Sequence, residues 1–262
     1  MSTWIFLRGL TREIRHWGEF VDTFVGQLPD TTVVALDLPG NGHLHHIRSP
    51  TRVEEIAAHC HGQLLGRGVR PPYYVLAMSL GAMVAVAWAN QYPDEVLGCV
   101  LINTSLRPFD PLHRRLRPRN YATLLALALR APWAPQREES ILMMTSRLMR
   151  ARTDILAQWC AYARENPVWR TNALRQLFAA ARYLAPREKP RPPLLILTSA
   201  GDTLVDPHCS RQLAVRWQCE LREHPSAGHD LPLDDGPWVA KQVRHWLEEL
   251  QALAPRATTS AA

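Results

Sequence analysis

Ser79 stands in Ala77-Met78-Ser79-Leu80-Gly81, after the apolar run Tyr73 to Leu76 and before the helix-like stretch Met83 to Tyr92. A strand that passes into a helix through one tight turn holds its apex residue in strained backbone geometry and leaves room only for small side chains two positions to either side. Ala77 and Gly81 meet that demand, with Ala where Gly is more usual at the first position. Such a turn lifts a serine hydroxyl clear of the sheet, where it can act as a nucleophile. The five residues taken alone fit an ordinary strand-to-helix turn as well, so the chemistry depends on what else the chain supplies.

A serine hydroxyl is a weak nucleophile and needs a base to take its proton, and the base needs an acid to fix its tautomer. Downstream, Pro193 to Thr198 reads as a buried strand that runs through Ser199-Ala200 into Gly201-Asp202, and Ala227-Gly228-His229-Asp230 follows the alternating stretch Cys219 to Pro225. Asp202 directly follows its strand, where parallel sheets gather functional groups. Asp206 is a rival acid, but it precedes Pro207 and reads as a helix cap. His224 is a rival base, but it belongs to the strand, whereas His229 follows Gly228 in the loop beyond it. The chain order Ser, Asp, His is one of three known for such triads. The tetrahedral intermediate also needs two backbone donors, one of them the N–H of Leu80, next after the nucleophile, and the other from the loop Arg8-Gly9-Leu10 after the strand Trp4 to Leu7.

Taken together, Leu7-Arg8-Gly9-Leu10, Asp37-Leu38-Pro39-Gly40-Asn41-Gly42-His43, Ala77 to Gly81, Gly201-Asp202 and Gly228-His229 resemble the α/β-hydrolase superfamily over nearly the whole chain. The resemblance implies an α/β fold with a mostly parallel doubly wound sheet and a helical cap insertion. It also implies Leu10 as the second oxyanion donor and cleavage of carboxylic esters through an acyl-enzyme. In that superfamily the first motif usually reads His-Gly-aromatic, so Arg8 replaces a customary His. The donor is main-chain and survives the exchange, while Arg8 must find another contact, with a carboxylate of the loop or a substrate group. Members of the same fold also bind ligands without cleaving them or run lyase and peroxidase chemistry.

Strands are expected at Trp4–Leu7, Thr32–Leu38, Tyr73–Met78, Val96–Ile102, Leu194–Thr198 and Cys219–His224. Helices are expected at Trp17–Gln27, Arg52–Gly66, Leu80–Tyr92, Ser210–Trp217 and Pro237–Ala252. Between them, Tyr121–Leu129, Glu138–Met149, Asp154–Glu165 and Thr171–Leu184 are helix-like with no strand. This divides the chain into a core, 1–105 and 191–262, and a cap, 106–190, with a frayed tail at 254–262. The large apolar cap residues Leu124, Leu125, Leu142, Met143, Met144, Leu148, Met149, Trp159, Trp169 and Phe178 are expected mostly to pack within the cap, some of them facing the cleft.

The cap is also the seat of the net charge. Residues 106–190 hold fifteen Arg and one Lys against six acids, a balance of +10, while the rest holds fourteen basic and eighteen acidic residues, a balance of −4. Arginine suits carboxylates and phosphates. With its basic cap, the chain is similar to the esterases of this superfamily that cleave pimeloyl-acyl-carrier-protein methyl ester in biotin synthesis, which implies an acidic acyl-carrier protein as partner; a solvated Arg-rich face is the competing explanation. No recognition motif for nucleic acid accompanies the charge. No apolar run has the length of a membrane span and the N-terminus lacks the pattern of a secretory signal, so a cytoplasmic location is expected. The odd, scattered cysteines fit reduced thiols. The cluster His43-Leu44-His45-His46 has no carboxylate or cysteine beside it in sequence, Gly40 and Gly42 fall short of a dinucleotide fingerprint, and neither metal nor cofactor is expected.

Overall fold

The central strands carry apolar residues on both faces, which suits a sheet covered by helices on both sides. In the computed structural model, which describes residues 1–253, these strands are β1 (Ser2–Leu7), β2 (Thr31–Leu36), β3 (Tyr73–Met78), β4 (Val96–Ile102), β5 (Leu194–Ser199) and β6 (Glu220–His224). They form one sheet in the order β2-β1-β3-β4-β5-β6, every neighbouring pair parallel. The frayed tail expected at 254–262 lies outside the described residues.

Alternation along the strands builds two cores. Ile5, Leu7, Val75, Ala77, Cys99, Leu101 and Ile196 point to one face and pack against α2 (Val53–Gly66), α3 (Leu80–Gln91) and α9 (Pro207–Trp217). Trp4, Phe6, Leu76, Met78, Val100, Ile102 and Leu197 point to the other and meet α1 (Phe20–Gln27) and α11 (Gly236–Leu253). On that second face the rings of Phe6, Phe20 and Phe24 lie within 5.0–5.7 Å of one another. Because β2 and β3 lie on opposite sides of β1, the chain reverses direction across the sheet there. The crevice at the carboxyl ends of β1 and β3 is therefore the switch point where doubly wound sheets bind ligands.

Between β4 and β5 run five α-helices, a 3-10 turn at Pro118–Asn120 and no strand: α4 (Leu112–Arg115), α5 (Tyr121–Leu129), α6 (Pro135–Thr145), α7 (Thr153–Glu165) and α8 (Arg170–Arg182). They hold a small core of their own around Leu127, Ile141, Leu142 and Trp159. Five of the large apolar residues expected to pack inside this insertion do not: Leu125, Met143, Leu148, Trp169 and Phe178 are each about half exposed or more. The helices are too few to bury every apolar side of themselves while also lining a cavity.

Several element ends differ from the sequence pattern, and for three of them the structure shows the reason. The helix expected from Trp17 begins only at Phe20, after a 3-10 turn at Ile14–Trp17, because Gly18 breaks it at φ +52°. The strand expected to reach Leu38 stops at Leu36, and the Asp37 carboxylate instead accepts the amides of Ile14 and His43 at 2.9 and 3.0 Å. The helix expected to reach Met149 stops at Thr145. There Asp234, on the short α10 (Leu231–Asp234), accepts the Ser146 hydroxyl and the amides of Arg147, Leu148 and Met149, which would otherwise serve a helix.

Candidate active site

Ser79 is the last residue before α3, at φ 55° and ψ −116°, a conformation an L-residue adopts only under constraint. Its amide donates to Ile102 O at 2.9 Å, and its carbonyl accepts the Thr104 hydroxyl and the amides of Ala82 and Met83. The small neighbours are required by close approach. A β-carbon on Gly81 would clash with the carbonyl oxygens of Leu7 and Arg8, 2.6 Å from the latter, and one on Gly9 would lie 3.1 Å from Ser79 Cβ. The Arg8-Gly9-Leu10 loop thus lies directly against the serine. Leu80, first residue of α3, carries an amide for which the helix has no acceptor.

Asp202 follows β5 and His229 follows β6, and the fold brings them together: His229 Nδ1 lies 2.7 Å from Asp202 Oδ2, with both side chains at most 3% exposed. The second carboxylate oxygen, Oδ1, accepts the amides of Leu204 and Val205 at 2.8 and 3.0 Å, so Asp202 acts as an acceptor throughout. His229 Nδ1 then carries the ring proton, and Nε2 is the nitrogen left to take another. The rivals have other tasks. Asp206 caps α9 by accepting the His208 amide, and His224 Nδ1 accepts the Ala227 amide while Nε2 lies 3.2 Å from Asp235.

Ser79, His229, Leu10 and Leu80 line one cavity of about 210 Å³, between the sheet's carboxyl edge and the helices of the insertion. Leu124, Ile141, Met144, Leu174 and Leu177 supply its far wall. Of the ten apolar residues singled out in sequence, only Leu124 and Met144 reach it.

Four residues that the sequence did not single out hold this arrangement. Asn103, buried after β4 at φ 45°, donates through Nδ2 to His229 O at 2.8 Å and accepts the Ser199 amide at 2.9 Å, which ties the histidine loop to the end of β5. Asp234 accepts the Gly228 amide at 2.6 Å, so one carboxylate holds both the histidine loop and the turn after α6. Gln176 of α8 accepts the Thr11 amide at 3.0 Å and donates to Pro39 O, Asn41 Oδ1 and Ser49 Oγ, which fixes the insertion to the loop beside Leu10. Asp230, next after His229, receives both terminal nitrogens of Arg8, at 3.0 and 2.5 Å. Of these, only Asp230 left a sequence signal, through the unusual Arg8 and its need for a counter-charge.

In the histidine cluster, His43 Nδ1 lies 3.3 Å from Asp37 Oδ2 and His45 Nδ1 lies 2.9 Å from Gly42 O. No group of three or more His, Cys, Asp or Glu suited to a metal ion occurs among the described residues. No helix among them is long and apolar enough to cross a membrane. The five cysteines are free, and burial pushes the thiols of Cys60 and Cys99 up to about 12.

Comparison with known proteins agrees with this architecture. Residues 4–242 match the alpha/beta hydrolase family. No curated protein sequence matches the chain. Among solved structures, the chain is similar to BpoC of Mycobacterium tuberculosis H37Rv, described as a non-heme bromoperoxidase (TM-score 0.76, 20% identity, 95% of this chain and 93% of that one). It is similar also to a thermophilic esterase from Thermogutta terrifontis (0.74, 18%, 95% and 90%). The enol-lactonase of Burkholderia xenovorans LB400 is a third such likeness (0.77, 16%, 94% and 91%). At these identities the likeness is one of fold.

Proposed function

The chain belongs to the α/β hydrolase family, and on that premise we propose that it is a serine hydrolase cleaving carboxylic esters through an acyl-enzyme intermediate. The observation that carries this reading is the 2.7 Å contact of His229 with Asp202 in a cavity that also contains Ser79. His229 Nε2 removes the Ser79 proton as Oγ attacks the ester carbonyl, and Asp202 stabilises the imidazolium that results. The amides of Leu10 and Leu80 receive the developing oxyanion. As the intermediate collapses, His229 returns the proton to the leaving alcohol. Water then repeats the sequence on the acyl-enzyme and frees Ser79.

The largely apolar wall favours a hydrocarbon acyl chain. An acidic carrier protein remains the finer reading of the Arg-rich insertion, supported by its balance of +10. Much of that charge has internal work, however: Arg119, Arg130, Arg170 and Arg175 donate to backbone carbonyls, and Arg117 and Arg152 pair with Asp206 and Asp154. A general carboxylesterase acting on free esters therefore stands equal to it.

Labelling with a fluorophosphonate probe tests the hydrolase reading. Wild-type protein takes one label and Ser79→Ala takes none; a folded wild-type protein that stays unlabelled and cleaves no p-nitrophenyl ester would make it a ligand-binding member of the fold.

A further inference from the structure

Among the described residues sixteen large apolar side chains are exposed, and eleven of them belong to the insertion at 106–190. Single exposures are ordinary, but a concentration of this kind marks an interaction surface. Nine of the eleven sit in two stretches, 111–137 and 166–187, which together carry ten arginines and no acid. Apolar area and one sign of charge thus coincide.

The helix α5, Tyr121 to Leu129, has no charged residue at all. Leu124, Leu127 and Ala128 line the active-site cavity, whereas Tyr121, Leu125 and Leu129, each one helical turn from the next, form a separate stripe in which the two leucines are 64% and 70% exposed. A helix that lines a cavity needs apolar residues only on the cavity side. The outer stripe therefore serves something else.

That stripe continues onto α8. Arg170 donates to the carbonyls of Leu129 and Arg130, and the half-exposed rings of Trp133 and Trp169 meet edge to face at 6.3 Å. Leu174 and Phe178 follow at one-turn spacing, half exposed or more, with the Arg182 guanidinium 4.9 Å from the Phe178 ring centroid. Leu112 and Leu174 both line the cavity and are more than half exposed, so the cavity reaches the surface beside the stripe.

The charge around it is largely unanswered. Within the two stretches one arginine, Arg117, pairs with a carboxylate among the described residues. Arg119 and Arg170 donate to backbone carbonyls, which orient a guanidinium without cancelling its charge, and both are exposed, as are Arg182 and Arg187.

We propose that this face of the insertion, built on α5 and the first turns of α8, binds the surface of a lipid bilayer that carries anionic headgroups. Leucines and aromatic rings enter the boundary between headgroups and acyl chains while the flanking arginines meet the phosphates. Nine helical residues rise about 14 Å, less than half of the roughly 30 Å hydrocarbon core, so α5 lies in the interface and does not cross it. A second copy of the chain fits poorly, because a two-fold contact would set this one-signed surface against itself. A folded acidic protein answers the charge but needs a preformed pocket for each protruding side chain, whereas a fluid layer closes around them.

Flotation with vesicles tests this, using phosphatidylglycerol and phosphatidylcholine in equal parts against phosphatidylcholine alone. The wild-type protein should bind the anionic vesicles about tenfold more tightly or better, and added salt should weaken the binding. Leu125→Gln/Leu129→Gln should lower that affinity by about tenfold or more, and Arg182→Gln by about fivefold. Val215→Gln, at an exposed apolar position of α9, should leave it unchanged. Should the double variant not fold, Phe178→Gln takes its place. No flotation, flotation that ignores headgroup charge, or an affinity that the leucine or the arginine substitution leaves unchanged overturns the proposal. So does a dimer in sedimentation velocity, or binding of an acyl-carrier protein, that the leucine substitutions abolish while vesicles are not bound. Ser79→Ala should float like the wild type, so a failure of the esterase reading leaves this test standing.

Discussion

Arg8 and Asp230, 222 residues apart in sequence, form a two-pronged ion pair of 3.0 and 2.5 Å in which neither side chain is more than 2% exposed. The pair joins the residue two before Leu10 to the residue after His229, so it fixes the oxyanion loop relative to the base. Arg8 also lies over the Trp17 ring, 4.8 Å from its centroid, and 3.7 Å from Met78 Sδ. Removing one partner strands a buried charge, at about 3–5 kcal/mol, whereas removing both removes the conflict. Arg8→Met and Asp230→Asn should each destabilise by that amount in urea unfolding, and the double variant by clearly less than their sum. Additive losses would show that the two groups act independently.

Asp202→Asn should lower kcat on p-nitrophenyl acetate by about 10⁴ while leaving the fold intact, because the amide favours the wrong imidazole tautomer. Asp206→Asn should keep most of the activity and cost about 1 kcal/mol or less, since it touches only the α9 cap. Reversed effects would transfer the acid's role to Asp206.

Gly81 and Gly62 differ sharply in what a methyl group would meet. At Gly81 it would press on the backbone oxygens of Leu7 and Arg8, which cannot swing aside, whereas at Gly62, inside α2, it meets nothing within 4 Å. Gly81→Ala should therefore cost about 3 kcal/mol and most of the activity. Gly62→Ala should stabilise by about 0.5–1 kcal/mol through helix propensity. Thermal unfolding of the two variants side by side checks both signs.

His16 is buried beside Trp159 and Tyr162, and its Nδ1 accepts the Glu13 amide at 3.1 Å. Burial, reinforced by the charges of Arg12 and Arg8, holds its pKa well below the usual histidine value. The folded protein thus resists a proton that the unfolded chain accepts below about pH 6.5. The stability that neutral His16 provides is complete above that pH and is lost as pH falls from it toward the folded-state pKa, at up to about 1.4 kcal/mol per pH unit. His16→Gln should show a shallower decline between about pH 6.5 and 5 in denaturant titrations. An unchanged slope would mean the ring is protonated in the folded state.

Signals that act over a few residues were readable before any fold was known. Small residues around Ser79, an apolar run ending in Gly201-Asp202 and a glycine before His229 each follow from backbone sterics at one turn or strand end, and strand alternation at Tyr73–Met78 and Val96–Ile102 follows from the pleat. Element ends failed where a distant side chain intervened: the extent of α6 depends on Asp234, 88 residues after Ser146.

The tertiary structure alone decided which polar groups meet. Gln176 reaches Thr11 across 165 residues, Asn103 reaches the carbonyl of His229 across 126, and nothing in the local pattern of either differs from a surface amide. The same holds for Arg137, one of fifteen arginines in the insertion and alike in sequence to the rest, which packing leaves only 6% exposed. Local sterics are written in neighbouring residues, whereas electrostatic complementarity depends on which groups packing brings together.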